Sequence, residues 1–172
     1  MNVMRWSLTA GILAAFAVIP LTGHAKEVIM KLTSPMFADK EQIPWKYTCQ
    51  GEDINPPLKI TGIPEGAKTL ALIMDDPDAP NGTWDHWIVW NIKPTDIIEE
   101  DDYPGVFGTN SWGRTSYGGP CPPAGTHRYY FKLYALDREL ELHPGASKRQ
   151  LEEAMAGYTI AKAQLMGMYT KK

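Results

Sequence analysis

The sequence predicts a mainly β, α+β domain. Strand-like runs dominate the chain, and the one well-signalled helix comes late. Residues 28–33 alternate and read as an opening strand. Residues 49–64 are rich in Gly, Pro, Asp and Asn and read as a loop with a short strand inside. Residues 69–74 form an unbroken apolar run ending in an acidic turn, the pattern of a buried strand. Residues 84–92 make the next strand, with His86, Ile88 and Trp90 on one face and Trp87, Val89 and Asn91 on the other. A long strand then starts near His127. Its His127, Tyr129, Phe131, Leu133 and Ala135 should face the core, and its Arg128, Tyr130, Lys132 and Tyr134 should face away. Ser147 with Gln150 forms a capping box, and Leu151, Ala154, Met155 and Tyr158 mark one helical face that Gly157 weakens. A short final strand is expected over residues 164–169.

Residues 1–25 read as a secretory signal peptide, not as part of the fold. Arg5 is their only charged side chain, residues 8–21 are apolar apart from Thr9, Gly11 and Pro20, and Gly23-His24-Ala25 resembles a small-residue cleavage site. The apolar run is shorter than the roughly 20 residues of a spanning helix, so no stable membrane anchor is expected. Cleavage after Ala25 would leave residues 26–172 as one domain, periplasmic or secreted. The net charge is −3 and the basic residues are scattered, which speaks against a nucleic-acid partner. The two cysteines, Cys49 and Cys121, suit a disulfide in an exported protein; two buried free thiols are the alternative.

The chemistry concentrates in three places. Tyr117-Gly118-Gly119-Pro120-Cys121-Pro122-Pro123-Ala124-Gly125-Thr126-His127 is a Gly/Pro-rich loop that delivers a histidine onto a strand. Asp75-Asp76-Pro77-Asp78-Ala79-Pro80 is an acidic turn just past a buried strand. His86 opens the strand that follows. An aspartate beside a proline often only bonds its own backbone, and a lone histidine is more often structural than functional. Two histidines, each near a Gly/Pro turn and each able to gain charge beside an anion, are harder to set aside together. Asp76 or Asp78 could orient one imidazole, and the amides of Gly118 and Gly119 could complete a receptor for a phosphate or carboxylate. The rivals are a Cys121–His127 thiol dyad, which a disulfide removes, and a metal triad of His86, His127 and Asp76, which no ligand spacing supports.

These residues carry a family resemblance. Cys49-x-Gly51-x-Asp53 with Pro56-Pro57-Leu58, then Pro64-x-Gly66, the acidic turn, Trp84-x-His86-Trp87, the run Tyr117 to Tyr129 and Ala135-Leu136-Asp137 together resemble the phosphatidylethanolamine-binding proteins. This family is also called Raf kinase inhibitor-like, and the likeness is greatest to its bacterial YbhB/YbcL branch. It implies a large central antiparallel-type sheet, a smaller second sheet and a few peripheral helices. It implies an anion pocket for phosphate or a phosphoethanolamine-like head group, using Asp76, His86, Gly119, Pro122, His127 and Tyr129, with Asp78 a near neighbour or turn-former. It also implies a homodimer. No metal, cofactor or catalytic residue is assigned. Asn55, Ile60 and Tyr158 depart from residues common in bacterial relatives, and no role is carried over there.

The expected function is therefore an exported binding protein without turnover. The alternatives are an inhibitor or interaction module working through its surface, and a weak hydrolase using His127 or His86 as general base.

Overall fold

A computed structural model describes Met1 and residues 29–171. The signal-peptide expectation falls outside these residues, as does the start of the expected first strand. Among the described residues there are eight strands and one α-helix: β1 (Lys31–Thr33), β2 (Leu58–Thr61), β3 (Thr69–Asp76), β4 (Trp84–Ile92), β5 (Ile97–Ile98), β6 (Val106–Phe107), β7 (Thr126–Leu136), α1 (Lys148–Met155) and β8 (Thr159–Thr170). A 3₁₀ turn covers Trp45–Tyr47.

The strands form two antiparallel sheets. The larger runs β6-β4-β3-β7-β8 and the smaller β1-β2-β5. The main core lies between them. Leu32, Leu58, Ile60 and Ile98 of the small sheet meet Leu70, Leu72, Met74, Trp87, Val89, Phe131 and Leu133 of the large one. A second core covers the outer face of the large sheet, where Ala71, Ile73, Ile88 and Trp90 pack under Leu151 and Met155 of α1. Strand β3 is buried along its whole length because both its faces are covered. The expected alternation of β7 holds, with its odd-numbered residues from His127 to Ala135 buried.

Three elements differ from expectation. First, β4 carries two bulges. Leu70 pairs with Ile92 and Leu72 with Val89; Met74 pairs with Trp87 and Asp75 with Asp85. Each step places one extra β4 residue in the ladder, which breaks the simple face count. His86 therefore turns away from the Ile88 and Trp90 face and meets Tyr129, with ring centroids 5.2 Å apart. At the other bulge Asn91 takes a positive φ of 53°, and its amide clasps the backbone of Leu140 from both sides. Second, the final strand is 12 residues long and pairs with all of β7. Its first half contains Ala161, Lys162 and Ala163, which have little strand propensity of their own; pairing with β7 decides it. Third, α1 stops at Met155. Gly157, at φ +83°, turns the chain, so Tyr158 is not helical and instead lies under the Arg138 guanidinium at 3.7 Å. The capping box of Ser147 and Gln150 forms as expected.

Candidate functional site

A cavity of about 370 Å³ opens at the end of the large sheet where β3 finishes and β4 begins. Its wall is formed by Asp76, Ala79, Pro80, Asn81, Trp84, His86, Trp112, Cys121 and Pro123. Three chain segments that are far apart in sequence meet here because β3 lies between β4 and β7 in the sheet.

Asp76 is the last residue of β3 and is 3 % exposed. One of its oxygens, Oδ1, accepts the Asp78 amide at 2.8 Å, closing the Asx-type turn that an Asp-Pro-Asp sequence favours. The other, Oδ2, lies 2.7 Å from Nδ1 of His127, near the start of β7. A carboxylate accepts, so His127 donates through Nδ1 and its Nε2 is left for other partners.

Asp78 serves the scaffold. Its two oxygens take Nε and Nη2 of Arg128 at 2.9 and 2.6 Å, and Oδ2 also takes the Arg128 amide at 2.9 Å. These bonds from Arg128 hold its carboxyl at about 2, below the usual carboxylate range. The acidic turn is thereby fastened to β7, and Asp78 is absent from the cavity wall.

His86 is 2 % exposed, and its Nδ1 lies 2.7 Å from the Gly118 carbonyl. A carbonyl can only accept, so Nδ1 carries the hydrogen and Nε2 of the neutral ring is a bare acceptor. Burial lowers the pKa of this imidazole by disfavouring its charged form. Trp112 stands edge-on to it at 4.9 Å and to Trp84 at 5.4 Å, so two indoles and one imidazole line the apolar side of the cavity.

The first half of the Gly/Pro loop is riveted from Tyr117 to Cys121. Cys121 is joined to Cys49 by a disulfide, which excludes the thiol dyad. The Tyr117 hydroxyl donates to the Tyr47 carbonyl at 2.8 Å, and the Cys49 amide donates to Pro120 at 3.2 Å. The Gly118 amide donates to the His86 carbonyl at 3.1 Å, and the Gly119 amide to Oδ1 of Asp53 at 2.6 Å. This corrects the expectation that these two amides complete the receptor: both are already committed within the protein. Gly119 has a packing reason for its identity instead, since a Cβ there would lie 2.5 Å from the Tyr47 carbonyl oxygen. Pro122 is buried inside the loop, and its neighbours Cys121 and Pro123 form the wall.

His127 and Tyr129 back the cavity without lining it, through Asp76 and the His86 ring. The Tyr129 hydroxyl is buried beside Asp76 and the Cys121 backbone, and Nε1 of Trp84 is buried with no hydrogen-bond partner among the described residues. Burial, with the Asp76 charge as a lesser cause, pushes the Tyr129 phenol well above its ordinary pKa, so it remains a donor. Among the described residues no lysine or arginine lines the cavity.

One organising residue escaped the sequence reading. Asn110 accepts the amides of Trp112 and Arg114 and donates to the Ser116 carbonyl, each at 3.0 Å, which places Trp112 in the wall. Its signal was present: an Asn followed three residues on by Gly113, at φ +76°, is turn chemistry.

Comparison with known proteins places this geometry in context. The family described as phosphatidylethanolamine-binding protein matches residues 33–170. A UPF0098 protein of Pyrococcus horikoshii is 47 % identical, the match covering 96 % of this chain and 90 % of that one. A UPF0098 protein of Methanothermobacter thermautotrophicus is 48 % identical over 83 % of this chain and 99 % of its own. Among solved structures, a Chlamydia trachomatis protein named as a homologue of phosphatidylethanolamine-binding protein superposes with a TM-score of 0.82 at 46 % identity, covering 84 % of this chain and 99 % of that one. E. coli YbcL superposes with a TM-score of 0.76 at 30 % identity, covering 83 % and 99 %.

Proposed function

The chain belongs to the phosphatidylethanolamine-binding protein family, and from that premise we propose that it is an exported binding protein whose cavity takes a phosphate-bearing small molecule. The observation that carries this reading is the fixed tautomer of His86. With Nδ1 committed to Gly118, its Nε2 faces a ligand as an acceptor. A hydrogen phosphate suits that atom, because its P–OH can donate to Nε2 or pass its proton there. Once the ring is protonated, the remaining phosphate charge stabilises it.

The opposite wall favours a second charge on the ligand. Asp76 presents a carboxylate that retains lone pairs beyond its bonds to His127 and Asp78. The indoles of Trp84 and Trp112 line the wall beside it, the Trp112 ring already carrying the Arg114 guanidinium at 5.2 Å. An imidazole for phosphate, and a carboxylate beside indoles for an ammonium, together match a phosphoethanolamine-like zwitterion. The cavity volume is in the range of small-molecule sites. The reading is one of binding rather than turnover, because the one loop sulfur is held in a disulfide and, among the described residues, the histidines hydrogen-bond to Gly118 and Asp76 and to no hydroxyl or thiol. Export through a signal peptide and assembly as a homodimer are parts of the same proposal.

The test is calorimetric titration of the mature protein with phosphoethanolamine and with inorganic phosphate, alongside His86→Gln. Saturable binding that the substitution weakens at least about tenfold supports the reading. Equal affinity in the variant places any binding elsewhere.

A further inference from the structure

His86 reaches the cavity at a β-bulge, and a charge cluster flanks that bulge on the opposite face of the same sheet. In regular alternation His86 would share a face with Ile88 and Trp90. Met74 pairs with Trp87 and Asp75 with Asp85, so His86 is the extra residue and turns to the other side. The same register sets Asp75 and Asp85 directly opposite one another across the ladder. Like charges in that position repel, and Asp75 is 1 % exposed, so water does little to screen them.

Lys148, the first residue of α1, answers this repulsion. Its Nζ lies 2.6 Å from Oδ2 of Asp75 and 3.1 Å from Oδ1 of Asp85. Lys132 reaches Asp75 at 2.7 Å and has no ion pair with Asp85. Among the described residues, Lys148 is the one cation that joins both carboxylates. On the far side of the bulge, Ser111 bonds the Asp85 amide through its Oγ and the Asp85 carbonyl through its own amide.

We infer that Lys148 is a positioning residue for the cavity: by pairing Asp75 with Asp85 it holds the bulge that aims His86. Without that cation, β4 relieves the repulsion by moving toward the unbulged register. A slip of one residue sends a strand side chain to the opposite face. His86 would then leave Gly118 and the cavity. Among the described residues no hydrogen bond or ion pair joins Lys148 to the side chain of a residue in the cavity wall, so its effect on a ligand would pass through the backbone of β4. The binding consequence rests on the function proposed above; the structural consequence does not.

The experiment compares wild type, Lys148→Met, Lys148→Arg and Lys148→Met/Asp85→Asn by two readouts. The first is the imidazole ¹⁵N spectrum of His86 without ligand, which reports the Nδ1–H bond to Gly118. The second is inorganic phosphate affinity. Lys148→Met should lose the fixed Nδ1–H signature and bind phosphate about tenfold more weakly, as expected when the competent register falls to about one-tenth of the population. Lys148→Arg and the double variant should restore both readouts. An unchanged His86 spectrum in Lys148→Met overturns the inference. So does a double variant that fails to fold or still lacks the signature, because Lys148 then acts otherwise than by pairing the two carboxylates. If wild type takes up no phosphate, the proposed function fails, and the ligand-free spectra still decide this inference.

Discussion

His86 and Gly118 are joined twice. The imidazole Nδ1 donates to the Gly118 carbonyl at 2.7 Å, and the Gly118 amide donates to the His86 carbonyl at 3.1 Å. This reciprocal pair ties a strand to a loop 32 residues away and fixes which ring nitrogen can meet a ligand. The burial that makes the pair tight also lowers the pKa of His86.

That shift makes stability pH-dependent with a definite sign. The folded pKa lies below the unfolded value of 6.5, so the unfolded state binds the proton first. The stabilisation is fully present above pH 6.5 and is lost as pH falls from there through the lowered folded pKa. Urea unfolding at pH 7.5 and pH 5.5 should show wild type losing more stability on acidification than His86→Gln. Equal losses would contradict this assignment.

Asp78 gives a separate effect at lower pH. Its folded pKa of about 2 lies below the ordinary 3.8, so its contribution is present above that ordinary value and is lost as pH falls toward 2. Arg128 is half exposed, which screens the pair, so removing it should cost only a modest part of the stability despite the bidentate geometry. Arg128→Ala should therefore unfold at a higher pH than wild type in an acid titration followed by circular dichroism.

Gly119 should not tolerate a methyl group. A Cβ there would meet the Tyr47 carbonyl oxygen at 2.5 Å, Oδ1 of Asp53 at 2.7 Å and Cα of Thr48 at 2.8 Å. Two of these are rigid backbone atoms, so Gly119→Ala should destabilise by about 1–3 kcal/mol in equilibrium denaturation. Gly125→Ala in the same loop serves as the control: the new Cβ meets nothing within 4 Å, and its cost comes from a φ of +70° instead.

The Cys49–Cys121 disulfide closes a loop with a sequence separation of 72. In the chain-entropy model a loop of that length is worth about 4 kcal/mol. Reduction, followed by mass spectrometry after alkylation, should lower the denaturation midpoint. It should also weaken the cavity's ligand, since Cys121 is part of the wall.

Much of this was legible in the residues. The buried strand expected over residues 69–74, which runs on to Asp76, the alternation of β7 and the Ser147–Gln150 box are local patterns, and local rules found them. The pairing of Asp76 with His127 could be suspected because one closes a strand and the other opens one, each beside a turn. What stayed hidden depends on register. No alternation rule shows that His86 sits at a bulge, because the bulge exists only relative to β3. Similarly, β8 borrows its length from β7 and not from its own residues. The amides of Gly118 and Gly119 looked free in sequence, because their acceptors, His86 and Asp53, lie far along the chain.

The central claim is that a phosphate-bearing ligand meets Nε2 of His86. It is tested most directly by long-range ¹H–¹⁵N spectra of the imidazoles during titration with phosphoethanolamine. On titration, Nε2 of His86 should move from an acceptor-type toward a protonated-type shift, His127 should respond through Asp76, and the exposed His143 should stay still. Spectra in which His86 and His127 do not move up to millimolar ligand would contradict it.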